Sequence, residues 1–132
     1  LNFMLENAEI YQTHYTPNVF GIYLLYRVLQ DMPEIQHIDY QTRDRMRMLE
    51  DTITHTSKLR MLIQNPEARS STVLAISGKE EFISEIKKAA EKEGMQLGSG
   101  YGPLKPTSFR IANFPAINES EFSKLVDFLK KY

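Results

Sequence analysis

The chain has 132 residues, 42% hydrophobic and 25% charged, with 16 Lys and Arg against 17 Asp and Glu for a formal charge of −1. That is one globular domain or part of one, with enough length to bury a core, and the near-balance of charge without a basic block excludes an electrostatic surface for nucleic acid or anionic membrane. Cys is absent, which excludes disulfides, thiolate metal sites and cysteine nucleophiles and fits a reducing cytoplasm.

Reading from the start, LNFMLENAEI has no charged leader and no apolar run of the ~18 residues needed to span a membrane. A chain opening on Leu1 is expected to be a segment of something longer. Phe3, Met4, Leu5 and Ile10 suggest a short helix followed by extended chain. Pro17 pushes Thr16 into an extended conformation, and Thr16 or Asn18 is placed to cap the next helix. That helix, residues 19–29, has little polar face, so it is either a core helix or one held between two bodies. Pro33 stops it.

Residues 34–64 read as a long polar helix. Its interrupted apolar stripe is Ile35, Ile38, Met46, Leu49, Ile53, Leu59, Leu62 and Ile63. The charges from Arg43 to Asp51 read as a solvated face with i,i+4 pairs, and Met46, Met48 and Met61 as core filler. Asn65-Pro66 ends the helix. Residues 72–76 are a β-branched strand, and Ser77 with Glu80 forms a capping box for a helix over about 79–93, closed by Gly94. Met95-Gln96-Leu97 reads as a second strand and residues 107–112 as a third. Asn118 and Glu121 form another capping box, before a helix with Phe122, Leu125, Val126 and Leu129 on one face. The order predicts an α+β two-layer sandwich, a small, mostly antiparallel sheet with helices on one face, preceded by two helices.

The most shaped stretch lies between residues 98 and 115. Gly98, Gly100, Gly102, Pro103 and Pro106 make a constrained loop that feeds the third strand. In that strand Phe109 and Ile111 face one way, and Ser108, Arg110 and Ala112 the other. Arg110 is the one charge there and needs an anion, either a local carboxylate or a ligand. The loop is not followed by a helix, so a dinucleotide-binding reading fails. His14, His37 and His55 have no metal-ligand spacing, and no nucleophile elbow occurs, so no metal site and no catalytic nucleophile is assigned.

Several segments together carry a resemblance. They are Thr16-Pro17-Asn18 leading to Phe20-Gly21-Ile22-Tyr23, Ala68-Arg69-Ser70-Ser71 entering a strand, the glycine loop, Phe109-Arg110-Ile111-Ala112-Asn113-Phe114-Pro115, and the closing helix. In this order they resemble the C-terminal part of the phosphoserine aminotransferase family, within class V of the fold-type I pyridoxal-phosphate aminotransferases. The resemblance runs the length of the chain. It implies a C-terminal small domain, with residues 1–33 as linker and apolar helix at an inter-domain or dimer interface and residues 34–132 as the α+β body. It also implies a cytoplasmic homodimer that moves an amino group from glutamate to 3-phosphohydroxypyruvate on pyridoxal phosphate, in serine biosynthesis.

By position, the resemblance makes Arg110 the clamp for the α-carboxylate of an amino-acid or 2-oxo-acid substrate. It makes Thr16 a contact to the cofactor phosphate of the other subunit. Tyr15 stands where the family has an asparagine at a second phosphate contact. The family's histidine–arginine pair for the substrate phosphate is missing; Gly102 and Pro103 fall there, leaving Lys105 or Tyr101 as substitutes. The Schiff-base lysine lies upstream in the family's large domain, so this segment alone is expected to be inactive and to bind no cofactor covalently. Three other readings compete: another class V aminotransferase, a stand-alone regulatory domain whose glycine loop binds a small metabolite, and an interaction domain whose interface is the helix over 19–29.

Overall fold

The structure, a computed structural model, describes residues 2–132 and divides into two compact units, Leu1–Glu34 and Ile35–Tyr132. The first unit holds α1 (Asn2–Glu9) and α2 (Val19–Asp31). Asn18 caps α2, its side-chain oxygen accepting from the Gly21 amide at 2.9 Å. Met32, just before Pro33, is extended and ends the helix. Apart from Gly21, every residue of α2 is exposed, Phe20 at 71% and Leu25 at 58%.

The second unit runs α3 (Ile35–Thr54), β1 (Leu59–Met61), β2 (Val73–Gly78), α4 (Glu80–Lys92), β3 (Gly98–Ser99), β4 (Ser108–Ala112) and α5 (Glu119–Leu129). The four strands form an antiparallel sheet in the order β1-β2-β4-β3. Register puts Leu59, Met61, Leu74, Ile76, Phe109 and Ile111 on one face. There they meet Met46, Leu49 and Ile53 of α3, Phe82, Ile83 and Ile86 of α4, and Phe122, Val126, Phe128 and Leu129 of α5 in one buried cluster. All three helices therefore cover the same face. The opposite face, which carries Arg60, Ala75 and Arg110, meets none of these three helices, and the turn at Leu104 lies over its Ser108. This is the two-layer α+β sandwich expected.

Five local expectations need correction. The helix predicted over 34–64 stops at Thr54, and Leu59–Met61 is an edge strand. Its buried–exposed–buried alternation has period two, and Thr52, Thr54 and Thr56 turn their hydroxyls back onto carbonyls of the last helical turns. Arg45 is not on a solvated face. It falls on the inner stripe Ile38–Thr42–Arg45–Leu49 and is 3% exposed, bonded to Glu119 at 2.8 Å and to the Ile117 carbonyl at 2.8 Å, over the Phe122 ring. Met48 is exposed, although Met46 and Met61 are core.

Ser77 caps nothing. β2 continues through it to Gly78, and the cap position is Lys79, without a side-chain bond. Gly78 allows this, because a Cβ there would lie 2.9 Å from the Lys58 carbonyl oxygen. The residues 95–97 are not a strand. Met95 and Leu97 pack against the core, and the ladder forms one step later at Gly98 and Ser99.

Candidate carboxylate site on the open sheet face

Arg110 sits mid-β4, opposite Ala75 of β2 and Gly98 of β3. Small residues on both sides leave the guanidinium uncovered over the open face. A Cβ at Gly98 would meet the Arg110 carbonyl oxygen at 3.3 Å, so this glycine lets the two strands pair closely beside the arginine. Arg110 Nε donates to the Ser99 carbonyl at 2.8 Å. The guanidinium carbon lies 4.2 Å from the centroid of the Tyr101 ring, a cation–π stack. No carboxylate of the described residues pairs with Arg110, although Arg43, Arg45 and Arg69 each have one. The local ion pair left open by the sequence is therefore absent among the described residues. Of the guanidinium donors, Nε is engaged and the terminal nitrogens have no acceptor there, which is the free fork that matches a carboxylate.

The loop behind this site is held tightly. Ser108, 1% exposed, donates its hydroxyl to the Leu104 carbonyl at 2.6 Å. Gly100 lies against that bond: a Cβ there would be 2.1 Å from Ser108 Oγ and 2.8 Å from Leu104 O. Asn113, just past β4, ties the sheet end to α3 by donating to the Thr42 carbonyl at 2.8 Å and the Ser71 carbonyl at 2.9 Å. A groove of about 690 Å³ runs beside Arg110, with Leu97, Ile111, Ala112, Phe114 and Leu125 among its walls.

The structure brings Arg110 and Tyr101 together, with Tyr101 touching the guanidinium. Lys105 lies apart, in a different groove with Lys87. Tyr15 and Thr16 lie in the exposed connection between α1 and α2, where His14 packs edge-on against both Phe3 and Tyr15, at 4.3 Å between centroids. Sequence reasoning missed Ser99, which acts through its backbone carbonyl and so leaves no side-chain signal. It also missed Lys87, which reads as one more lysine on an amphipathic helix. Burial first, then the charge of Lys105, pushes the Lys87 pKa below its ordinary value of 10.5.

Among the described residues no helix is long and apolar enough to cross a membrane. No protein-family profile matches the chain, and no curated protein sequence does. Solved structures do. A phosphoserine aminotransferase from Cytophaga hutchinsonii superposes with a TM-score of 0.84 at 35% identity, over 97% of this chain and 36% of that one. An aspartate aminotransferase of subgroup IV from Thermus thermophilus gives 0.80 at 19% identity, over 97% and 36%. A phosphoserine aminotransferase from Bacillus circulans subsp. alkalophilus gives 0.75 at 23%, over 98% and 36%. The two matches under 25% identity speak for the fold alone. The chain thus spans 36% of the length of each of these three enzymes. By fold and by sequence, the chain is a homologue of the C-terminal small domain of the fold-type I, class V pyridoxal-phosphate aminotransferases.

Proposed function

We propose that this chain is the substrate-carboxylate half of a transaminase site, and that the whole protein converts 3-phosphohydroxypyruvate and glutamate to phosphoserine and 2-oxoglutarate. The carrying observation is the acid-free guanidinium of Arg110, fixed at Nε by Ser99 and stacked on Tyr101. The likeness to the Cytophaga hutchinsonii enzyme supports the phosphoserine reaction in particular. In this reading Arg110 takes the α-carboxylate of the amino acid or 2-oxo acid bidentately and sets the reacting carbon in place. Tyr101 acts through Arg110: it holds the plane of the fork and shields one side from water. Lys105, in another groove, has no part in the carboxylate contact.

Pyridoxal phosphate, bound by the whole protein, supplies the carbonyl that carries the amino group and the ring that withdraws electrons. The residues of this chain fit the edge of such a site. Thr16 offers an exposed hydroxyl just ahead of the α2 N-terminus, where the helix dipole favours a phosphate, and Tyr15 stands beside it. They do not fit the ring-holding centre. Every lysine but Lys87 is exposed, and Lys87 faces another lysine. The exposed apolar surface of α2 is suited to burial against the large domain or a second subunit.

The test is steady-state kinetics of the whole enzyme carrying Arg110→Lys, after cofactor binding is checked. Lysine keeps the charge and loses the planar fork. Losing that charge-assisted pair should lower kcat/KM by roughly thirty- to hundredfold. A kcat/KM equal to wild type would make Arg110 a structural strand residue.

A further inference from the structure

We propose that Lys87 and Lys105 form a second anion site, one for a phosphate group, at the β3 edge of the sheet. It is separate from the Arg110 groove and does not rest on the transaminase reading. The two grooves share only Ser99 among their lining residues. β3 divides them: Gly98 is opposite Arg110, and Ser99 is opposite Phe109, the position that faces the helices. The Ser99 carbonyl accepts from Arg110 Nε on one side, and its hydroxyl lies 3.5 Å from Lys87 Nζ on the other.

The two ammonium groups come from different elements. Lys87 flanks the buried stripe of α4, four residues after Ile83, and is half-buried. Lys105 closes the 3₁₀ turn Gly102–Leu104, where its amide donates to the Gly102 carbonyl at 3.1 Å. Pro103 and Pro106 fix the backbone on either side of it, so the turn is stiff before any ligand arrives. Neither lysine has an ion-pair partner among the described residues, whereas Lys130 reaches Asp127 at 3.4 Å and Lys131 reaches Glu93 at 2.8 Å. Burial first, and then the neighbouring charge of Lys105, make the Lys87 ammonium costly to the fold, as its lowered pKa registers.

A bound oxyanion would reverse that cost. A phosphate monoester carries about −1.5 to −2 charges at neutral pH and three acceptor oxygens, enough for both ammonium groups. A single carboxylate would neutralise only one. The Ser84 and Ser99 hydroxyls line the same groove as further donors, and its volume of about 520 Å³ leaves room for more than the phosphate itself. Glu80 also lines it and opposes an anion.

The experiment titrates the chain with inorganic phosphate at constant ionic strength and follows backbone amide NMR shifts. A methyl phosphate arm separates free phosphate from a monoester as the preferred form. The expected result is saturable shifts at Ser99 and Lys105. Lys87→Met and Lys105→Met each weaken binding about tenfold or more, Glu80→Gln tightens it, and Arg110→Lys leaves it unchanged. The Lys87 side-chain titration should also move up when phosphate is bound. Native-like spectra of the variants establish that they fold. The proposal is overturned if sodium chloride at equal ionic strength reproduces the shifts, if they do not saturate, if both methionine variants bind as wild type does, or if Arg110→Lys abolishes them.

Discussion

Gly100→Ala isolates the packing that shapes the arginine's loop. The new Cβ would lie 2.1 Å from Ser108 Oγ and 2.8 Å from the Leu104 carbonyl oxygen. The hydroxyl can rotate away, but Ser108 is buried and bonded to that same carbonyl. Turning it strands a buried donor, at a cost of about 1–3 kcal/mol. The carbonyl contact remains and forces a backbone shift, worth about 1–3 kcal/mol more. Loss of the glycine's freedom in the unfolded chain returns about 0.4–1 kcal/mol. The net is a destabilisation of about 1–6 kcal/mol, or a fall of roughly 0.5–3 M in the urea midpoint at a slope of about 2 kcal/mol/M. Adding Ser108→Ala should recover the hydroxyl's share and leave the carbonyl's. Gly102→Ala is the contrast: its φ of +50° meets open space, so only the backbone penalty of about 1–2 kcal/mol applies. A Gly100→Ala protein within about 0.5 kcal/mol of wild type would refute the reasoning, because surface substitutions free of such contacts fall in that range. Full rescue by Ser108→Ala would refute the carbonyl part alone.

Glu119→Ala should cost about 2 kcal/mol and Arg45→Met about 1 kcal/mol in denaturant unfolding, because the first strands a buried cation and the second leaves only an exposed carboxylate and one carbonyl. Equal costs would count against that asymmetry. Lys87→Met should stabilise the chain at neutral pH, since folding holds the Lys87 charge in a disfavoured place. The unfolded chain binds more protons between the lowered pKa and 10.5, so wild-type stability should gain on the variant through that window and the gap should close above it. Denaturant melts from pH 7 to 11 follow this, and a constant gap would remove the electrostatic cause. Self-association through the exposed apolar α2 is the expected result in sedimentation, and Leu24→Lys with Leu25→Lys should weaken it by at least severalfold; a monomeric wild-type chain, or unchanged sedimentation of the variant, would show that α2 does not drive it.

What the sequence made legible was local. Asn118 accepts from the Glu121 amide at 3.0 Å, as its capping box implies, and Gly94 takes φ +75° at the end of α4. Asn18 and the Pro33 stop are of the same kind. Tertiary contacts decided the rest. Leu59 and Met61 fit a helix stripe or a strand equally well until β2 supplies a partner. Ser77 has the spacing of a cap, but its backbone is held in register with Ser108. Arg45 lies on the inner stripe by periodicity, yet only the distant Ile117 carbonyl and Glu119 make that burial tolerable. At the candidate site, the alternation in β4 identified Arg110 and its open face. Whether an acid waited nearby depended on the fold, as did the turn that carries Lys105 away from Arg110.

The sheet order β1-β2-β4-β3 also bears on how the chain reaches its native state. β4 pairs with β2 across the whole of α4 and the glycine loop, with Val73 opposite Ala112. Joining them closes a long loop before any ladder bond rewards it, whereas α4 and α5 can form from nearby residues alone. Arg110 lies in the middle of that late ladder, opposite Ala75, whereas its Ser99 carbonyl belongs to β3, which pairs with β4 across a short loop. The backbone of Arg110 is therefore fixed across the sheet in the step that completes it, while the contacts that orient its guanidinium, to Ser99 and Tyr101, are local in the chain. In hydrogen exchange, the Arg110 amide should open with the global unfolding of Ile35–Tyr132 rather than with the fraying of its loop.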